Sequence, residues 1–563
     1  MKVIIVGGVA GGATAAARIR RLDEHAEITV YERSGYISYA NCGLPYYIGD
    51  VITDPEELTL QTPESFFKRF RINMKIHHEV ISIHPESKTV SVKNLENGEI
   101  FEENYDKLIL SPGAKPTQPR LPGVGIDKIF TLRTVEDTFR IKEYINKNHP
   151  KSAVLAGGGF IGLELAENLR ELGMDVTIVQ RPKQLMNPFD PDMASMIHNE
   201  MRKHGIKLVL GYTVEGFKEK DNGVEVLLKD NPSLQADMVV LAIGVTPDTV
   251  LAKEAGLELG IKESIVVNDR METSVPDIYA AGDAVQVKHY VTGNDALISL
   301  AGPANKQGRI IADNICGGDS RYLGSQGSSV IKVFDMTAAT TGINETNAQK
   351  SGLEVDTVIL SPMSHAGYYP GGKVMTMKVI FEKESYRLLG AQIIGYEGVD
   401  KSIDVLATAI HAGLNATQLK DLDLAYAPPY SSAKDPVNMA GFMIDNIAKG
   451  TLKQWHLEDM DKISKDKDVV LLDVRTVGEF SMGHIDGFKN IPVDELRERI
   501  SEIEKGKPVY LICQSGLRSY IASRILEGNG YETYNFSGGF RFYDAVVNDR
   551  ALIERAYACG MDY

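Results

Sequence analysis

Residues 2–12 read Lys-Val-Ile-Ile-Val-Gly-Gly-Val-Ala-Gly-Gly, an apolar run that ends in a cluster of glycines. The apolar run predicts a buried parallel strand, and the alanine-rich segment 13–22 that follows predicts a helix. This order is typical of a dinucleotide-binding unit, in which Gly7 makes a tight turn and Gly12 lets the helix pack closely on the strand. The N-terminus of the helix then faces a pyrophosphate. Val9 stands where the consensus has a glycine.

The same order of elements recurs around residues 157–162, Gly-Gly-Gly-Phe-Ile-Gly, which match the dinucleotide consensus fully. The strand after each helix ends where a ribose would bind, at Glu32 in the first unit and at Gln180, followed by Arg181, in the second. Glutamine accepts a ribose hydroxyl without repelling the 2′-phosphate of NADPH, and arginine attracts that phosphate. The second unit therefore predicts a site for NADH or NADPH, and the choice between them stays open.

The bulk composition restricts the class of protein. A length of 563 residues predicts several domains, and a net charge of −15 argues against nucleic acid as the main partner. We see no apolar window long enough to span a membrane. The four cysteines are widely separated and form no CxxC pair, so the sequence indicates neither a metal site nor a disulfide framework. These features predict a cytoplasmic protein.

The element pattern predicts an α/β protein with four parts. Two dinucleotide-binding domains are predicted, a discontinuous one at 1–112 and 245–325 and one for NAD(P) at 113–244. Both are predicted to have Rossmann-like folds. An α+β domain without phosphate-loop glycines follows at 326–447, and a linker and a further α/β unit occupy 448–563.

Two segments identify the first dinucleotide as FAD. Residues 273–283, ending in Tyr-Ala-Ala-Gly-Asp, and residues 299–308 resemble the second FAD fingerprint and the flavin-facing helix start of the pyridine nucleotide-disulfide reductases. The resemblance implies that 326–447 is a dimerisation domain and that the protein is a homodimer. It also implies that the two cofactors are held by Gly7, Gly8, Gly12, Glu32, Arg33, Val80, Gly113, Gly157, Gly159, Ile161, Gly162, Glu164, Gln180, Gly244, Asp283 and Ala301.

One cysteine is the candidate redox centre. Cys42 lies in Ser38-Tyr-Ala-Asn-Cys-Gly-Leu-Pro-Tyr, directly after the first dinucleotide unit. Reductases of the glutathione type carry two cysteines here, whereas this chain has one. A single thiol can cycle only by pairing with an external sulfur or by becoming a sulfenic acid. The polar surroundings and the position of Cys42 favour catalysis over burial as an inert core residue.

The segment around Cys42 resembles the coenzyme A-disulfide reductases and their NADH oxidase and peroxidase relatives, and the resemblance spans residues 1 to about 447. It implies that Cys42 forms a mixed disulfide with coenzyme A, and that Tyr368 and Tyr426 reach the active site from the partner subunit. Arg18 and Arg21 share a helix face and are candidates to hold the phosphates of coenzyme A. Arg20 points about 100° away from Arg21 and is predicted to be solvated. The full coenzyme A set comprises Arg18, Arg21, Ser38, Asn41, Arg71 and Lys434.

Three motifs lie in the C-terminal unit: Leu-Leu-Asp-Val-Arg at 471–475, Gly-His-Ile-Asp-Gly-Phe-Lys-Asn-Ile-Pro at 483–492 and Cys-Gln-Ser-Gly-Leu-Arg-Ser at 513–519. Together they resemble a rhodanese domain that covers about Leu452 to Tyr563. Cys513 ends a predicted strand and opens a loop before a helix, where backbone N–H groups and the helix dipole favour a thiolate or a bound anion. Cys513 is therefore predicted to accept sulfane sulfur as a persulfide. The loop consists of Gln514, Ser515, Gly516, Leu517 and Arg518. Cys316 and Cys559 have no such context.

Together these features predict an NAD(P)H-dependent reductase of coenzyme A disulfide, coenzyme A persulfide or polysulfide. Two alternatives stay open from the sequence. One is an NADH oxidase or peroxidase that cycles Cys42 through a sulfenic acid. The other is a sulfurtransferase in which the flavin module only senses redox state.

Overall fold

The computed structural model describes residues 1–220 and 223–559, with side chains described as far as residue 555. The chain divides into two compact units. The first comprises Met1–Pro182 and Ile206–Gly327, and the second comprises Lys183–Gly205 and the chain from Ser328 onward. The side chain of Cys559 lies outside the described residues.

The first unit contains two parallel sheets of five strands each. The first sheet is built around the strand Lys2–Val6, whose valines and isoleucines are buried, as the apolar run predicts. Its strands are, in spatial order, Ile278–Ala280, Lys107–Leu110, Lys2–Val6, Glu27–Tyr31 and Asn73–Lys75. The second sheet runs Ile129–Thr131, Met238–Leu241, Ser152–Ala156, Asp175–Gln180 and Lys207–Leu210. Parallel strands buried on both faces are typical of doubly wound α/β domains.

A two-stranded antiparallel ribbon, Ala114–Pro116 with Val245–Pro247, carries the chain between the two sheets. The helices of the unit are Ala10–Leu22, Leu44–Ile48, Pro63–Phe70, Val135–Asn148, Phe160–Glu171, Val250–Glu254 and Ala301–Ile315. Smaller sheets are formed by His78–His84, Thr89–Asn94 and Ile100–Asn104, by Val214–Lys220, Gly223–Leu228 and Asn231–Ala236, by Ile37–Tyr39 with Thr59–Gln61, and by Val287–Lys288 with Asp295–Ala296.

The second unit begins with an antiparallel sheet of five strands. In spatial order these are Ser329–Val333, Met336–Gly342, Leu388–Gly395, Thr376–Glu382 and Val355–Leu360. The helices on this part are Pro191–Lys203, Glu345–Lys350, Val399–His411 and Pro436–Ala448. This is the α+β architecture predicted for residues 326–447.

The C-terminal part of the second unit is a parallel sheet flanked by helices. Its strands are Gln454–Trp455, Thr533–Phe536, Val509–Ile512, Val470–Asp473 and Lys489–Asn490. Its helices are Met460–Ile463, Val477–Met482, Leu496–Arg499, Leu517–Glu527 and Gly539–Cys559. The hydrogen bonds that join it to the antiparallel sheet include those from Gln454 Nε2 to Thr357 O (2.7 Å) and from Ile359 N to Ser537 Oγ (3.0 Å).

The helix Pro191–Lys203 belongs to the second unit, although its sequence position lies within the predicted NAD(P) domain. Buried ion pairs fix it there. Asp549 accepts from Arg202 Nη1 and is 2.8 Å from His198 Nδ1, and Lys378 donates to Asp192 at 2.8 Å. Within residues 1–220 and 223–559, every helix is too short or too polar to span a lipid bilayer.

Candidate active site

The first glycine loop has the turn that its sequence predicts. Gly7 has φ +96°, and a Cβ there would lie 2.1 Å from the carbonyl oxygen of Ser111. A Cβ on Gly12 would lie 1.9 Å from the carbonyl oxygen of Gly7. Only glycine fits either position without moving the backbone, so the first helix sits directly on its strand.

Glu32 closes this loop from the end of the next strand. Its carboxylate accepts from Gly8 N at 2.8 Å and from Ser34 N at 2.9 Å, and the residue is 8% exposed. A carboxylate has about four acceptor positions, so two remain for ribose hydroxyls. Gly8 also accepts from Ser38 N at 2.9 Å. The dinucleotide loop and the segment that leads to Cys42 are therefore in direct contact.

The second loop repeats this geometry with a neutral side chain. Gly157 has φ +119°, and a Cβ there would lie 2.2 Å from the carbonyl oxygen of Ala242. Gly158 N donates to Gln180 Oε1 at 3.1 Å, as Gly8 N donates to Glu32 in the first loop. No atom lies within 4 Å of a Cβ placed on Gly159, so the loop leaves room for a phosphate group there.

We predict that Gln180→Glu weakens the binding of NADPH at the second site. The new carboxylate would lie where the 2′-phosphate binds and would repel it, whereas it can still accept the ribose hydroxyls of NADH. We expect the kcat/KM ratio of NADPH to NADH to fall about tenfold or more. Steady-state kinetics with both nucleotides measures this ratio.

Gln235→Glu adds the same charge at an exposed position on the three-stranded sheet and serves as the control. An unchanged ratio in Gln180→Glu would remove Gln180 from the ribose site.

Cys42 lies in a short 3-10 turn, Asn41–Gly43, and is exposed. The turn is held by Ala40 N, which donates to Leu58 O at 2.8 Å. The helix that follows, Leu44–Ile48, packs against the helices Val135–Asn148 and Phe160–Glu171 of the second sheet. Lys142 Nζ caps it by donating to Ile48 O at 3.0 Å. The cysteine turn is therefore fixed by contacts with both dinucleotide domains.

The charges around Cys42 favour the protonated thiol. The residue as a whole is exposed, yet desolvation of the thiol is the largest cause that raises its pKa, and the carboxylates of Glu164 and Asp283 raise it further. Arg133 opposes them. Burial, with a smaller contribution from Glu167, raises the pKa of Glu164 itself to about 7. A stable thiolate at Cys42 therefore needs positive charge or hydrogen-bond donors besides Arg133.

Sequence reasoning missed Arg133. Its Nη2 donates to Asp283 Oδ2 at 2.6 Å, and both side chains are largely buried. No fingerprint marks Arg133, because its partner is 150 residues away in the chain. The pair joins the predicted FAD-binding aspartate to the loop that precedes the helix Val135–Asn148.

The other predicted cofactor residues lie in the same unit. Arg33 is paired with Asp248 at 2.9 Å, and Val80 is buried in the strand His78–His84. Ala301 begins the helix Ala301–Ile315, and Ile161 lies in the first turn of Phe160–Glu171. Gly113 and Gly244, both with positive φ, flank the ribbon between the sheets.

The predicted solvation of Arg20 is wrong. Arg20 is 8% exposed and donates to backbone carbonyls that include Phe70 O at 2.8 Å and Arg71 O at 3.1 Å. Arg71 is thereby fixed beside the end of the first helix, where it and Arg21 are both exposed. Arg18 is instead paired with Asp313 at 2.8 Å, so much of its charge is already neutralised.

The two predicted active-site tyrosines lie together in the second unit. The hydroxyls of Tyr368 and Tyr426 are 2.7 Å apart, and the side chains are 76% and 45% exposed. The hydrogen bond between the two hydroxyls, followed by desolvation, raises the pKa of Tyr426 above the ordinary value of a phenol. Lys434 is exposed on the segment after Tyr426.

Cys513 lies at the end of the strand Val509–Ile512 and is fully buried. Its sulfur accepts from Gly516 N at 3.1 Å and from Ser519 Oγ at 3.2 Å. The helix Leu517–Glu527 begins one residue after Gly516, so its N-terminus faces the sulfur. These donors stabilise negative charge on the sulfur, as the sequence predicts.

The molecule combines two dinucleotide loops, an exposed lone thiol on the segment that contacts the first of them, and a second thiol in an amide-lined loop. These features define a two-cofactor oxidoreductase with a sulfur-handling module. The chain belongs to the pyridine nucleotide-disulphide oxidoreductase family, whose model matches residues 1–308. The family's dimerisation domain matches residues 328–436, and a rhodanese-like domain matches residues 456–545. Membership implies FAD and NAD(P)H as cofactors, and the paired loops fit both.

Three relatives resemble the chain over most of its length. The crystal structure of reduced CoADR-RHD from Bacillus anthracis is 48% identical, covers 98% of each chain and has a TM-score of 0.95. The NAD-dependent persulfide reductase from A. fulgidus is 38% identical, with a TM-score of 0.90 over 96% of this chain and 100% of that one. Coenzyme A disulfide reductase from Staphylococcus aureus (strain JH9) is 37% identical over 78% of this chain and 99% of its own length.

Proposed function

We propose that the protein uses NAD(P)H to reduce coenzyme A disulfide, coenzyme A persulfide or polysulfide through Cys42, and that its rhodanese domain handles sulfane sulfur at Cys513. The observation that carries this proposal is the isolation of Cys42. It is exposed, lies on the segment whose Ser38 contacts the first dinucleotide loop, and is unpaired, as are the other described cysteines, Cys316 and Cys513. The likeness to a coenzyme A disulfide reductase and to a persulfide reductase supports the same acceptors.

When FAD is bound, it provides the route by which two electrons pass from NAD(P)H to Cys42. The thiolate of Cys42 attacks the disulfide of the substrate, so that one S–S bond breaks, a mixed disulfide with coenzyme A forms and one coenzyme A thiol departs. Two electrons then cleave the mixed disulfide and release the second thiol. Arg133 is the one described cation whose charge lowers the pKa of Cys42 and favours its thiolate.

The tyrosine pair provides a proton for the departing thiolate. Tyr426 carries a proton at neutral pH, as tyrosines ordinarily do, and Tyr368 is hydrogen-bonded to it. We propose that the pair of one subunit serves Cys42 of the other in a homodimer. The phosphates of coenzyme A would bind Arg21, Arg71 and Lys434, and Ser38 and Asn41 would contact its pantetheine arm. Arg18 is left out of this set because Asp313 offsets its charge.

The oxidase or peroxidase alternative is not favoured, because the likeness to the CoADR-RHD and persulfide reductase structures extends over the rhodanese domain. In the sulfurtransferase alternative, the cofactors held by the two dinucleotide loops would have no catalytic role. The preferred acceptor and a cytoplasmic location remain predictions.

The test is mass spectrometry of the purified, non-reduced protein. We expect coenzyme A bound to Cys42 through a disulfide, after exposure to coenzyme A disulfide if not before, and released by dithiothreitol. Cys42→Ser should lack the adduct, and Cys316→Ser should retain it. If Cys42 never acquired coenzyme A but was oxidised by peroxide, the proposal would fail in favour of the peroxidase.

A further inference from the structure

The sulfur of Cys513 competes with a backbone carbonyl for one hydrogen. Ser519 is fully buried, and its Oγ lies 3.2 Å from the sulfur and 3.1 Å from the carbonyl oxygen of Gly516. A serine hydroxyl carries a single hydrogen, so it donates to one of these two acceptors at a time. The direction of that hydrogen decides whether the sulfur receives this donor in addition to Gly516 N, which donates to it at 3.1 Å.

Two other groups already donate to the Gly516 carbonyl. Tyr520 N donates to it at 3.1 Å within the helix Leu517–Glu527, and Asn535 Nδ2 donates to it at 3.3 Å. A carbonyl oxygen has two lone pairs, so these two donors fill it. The hydroxyl of Ser519 is therefore left to donate to the sulfur.

The side chain of Asn535 is fixed in the orientation that fills this carbonyl. Asn535 lies in the strand Thr533–Phe536 and is 2% exposed, and its backbone N donates to Lys453 O at 2.9 Å. Because a carbonyl only accepts, the amide must turn Nδ2, and not Oδ1, towards Gly516. Oδ1 then has no hydrogen-bond partner in the part of the chain that the structure describes. An apolar side chain of similar size would avoid this unsatisfied oxygen, so the N–H donor is what asparagine contributes at this position.

We propose that Asn535 is a positioning residue for the sulfur chemistry of Cys513: it occupies the Gly516 carbonyl and so directs the hydroxyl of Ser519 to the sulfur. This inference rests on the proposed role of Cys513 and adds two residues that lie outside the predicted loop 514–518. The thiolate gains most from the arrangement, because a hydrogen bond to a charged acceptor is stronger than one to a neutral acceptor. The thiolate is also the form that attacks a sulfane sulfur.

Loss of the Asn535 amide would free one lone pair of the Gly516 carbonyl. The hydroxyl of Ser519 is 3.1 Å from that oxygen and can turn to it without any movement of the backbone. The sulfur would keep the donor at Gly516 N and lose the one at Ser519. A smaller fraction of Cys513 would then be a thiolate at neutral pH.

The test is a pH titration of the ultraviolet absorbance of the Cys513 thiolate in the full-length holoenzyme. Each enzyme is measured against the same enzyme carrying Cys513→Ser, so that the other cysteines cancel. In Asn535→Leu, which fills the volume but has no donor, we expect the profile to move up by about one pH unit, the shift produced when a charged acceptor loses one hydrogen bond. Ser519→Ala should give the same shift.

The double variant separates positioning from general damage to the loop. Because Asn535 acts through Ser519, the combination of Asn535→Leu and Ser519→Ala should shift the profile no further than either change alone, whereas independent disturbances would add. Asn535→Ala removes the same amide without added bulk and gives the same comparison if the leucine does not pack. Ser523→Ala is the matched control, because Ser523 lies on the same helix, is 2% exposed and donates to Tyr520 O at 2.7 Å. It should leave the profile in place.

An unmoved profile in the Asn535 variants or in Ser519→Ala, or shifts that add in the double variant, would overturn the positioning role. The proposed function of the domain is tested separately by incubating the wild-type enzyme with polysulfide. One S–S bond breaks, another forms on Cys513 and a shortened polysulfide leaves, so the protein gains the mass of sulfur in mass spectrometry. A wild-type enzyme that gained no sulfur, yet showed the expected thiolate profiles, would contradict the function of the domain and not the positioning by Asn535.

Discussion

The Cys42→Ser enzyme should bind FAD and accept electrons from NAD(P)H, yet reduce coenzyme A disulfide or persulfide more slowly by on the order of a thousandfold or more. The hydroxyl fits the exposed turn, because the segment is fixed by backbone bonds such as Ala40 N to Leu58 O and by the buried helix that follows. What is lost is the only sulfur in that turn. Stopped-flow flavin reduction and steady-state turnover separate the two half-reactions.

Cys316→Ser is the matched control, because Cys316 is a half-buried thiol at the C-terminal end of the helix Ala301–Ile315. It should behave like the wild type. Oxygen uptake measured in parallel addresses the oxidase alternative. If Cys42→Ser kept its turnover with coenzyme A disulfide, or if the wild type consumed oxygen rapidly and no sulfur substrate, the proposed chemistry would be wrong.

The features that sequence alone predicted are those that local chain geometry determines. Glycine is required at positions 7 and 157, because φ is positive there and a carbonyl oxygen would lie about 2 Å from any Cβ. This requirement produces a glycine pattern that can be recognised from the sequence. The element order around them follows from the same pattern. Cys513 was found in the same way, because the strand, loop and helix that present it are consecutive.

Features that depend on distant partners were not predictable. Helix geometry gives the angle between Arg20 and Arg21, but not which of the two faces the interior. The structure turns Arg20 inward, where it donates to the carbonyls of Phe70 and Arg71, about 50 positions away, as well as to three carbonyls at positions 23, 24 and 26. Arg133 pairs with Asp283 across 150 positions, and Arg518 with Glu479 across 39. Both pairs set the charge beside a reactive thiol.

The Gly157→Ala enzyme should keep its FAD and lose its reduction by NAD(P)H, with a fall in kcat/KM for the nucleotide of about a hundredfold or more. An alanine at φ +119° is strained, and its Cβ would meet Ala242 O at 2.2 Å. The loop would have to move, which would break the hydrogen bond from Gly158 N to Gln180 Oε1 at the predicted ribose site. Dithionite should still reduce the flavin, because it does not use this loop.

Gly7→Ala is the reciprocal variant, because Gly7 has φ +96° and faces Ser111 O at 2.1 Å in the other loop. It should lose more than about nine-tenths of its FAD, read from the ratio of flavin to protein absorbance. Gly125→Ala, at an exposed glycine with no atom within 4 Å of its Cβ, should change neither quantity. The opposite pattern, with FAD lost from Gly157→Ala and kept by Gly7→Ala, would reverse the assignment of the two loops. Because the loops share their backbone geometry and differ in Glu32 against Gln180, the pair of variants tests which dinucleotide each one holds.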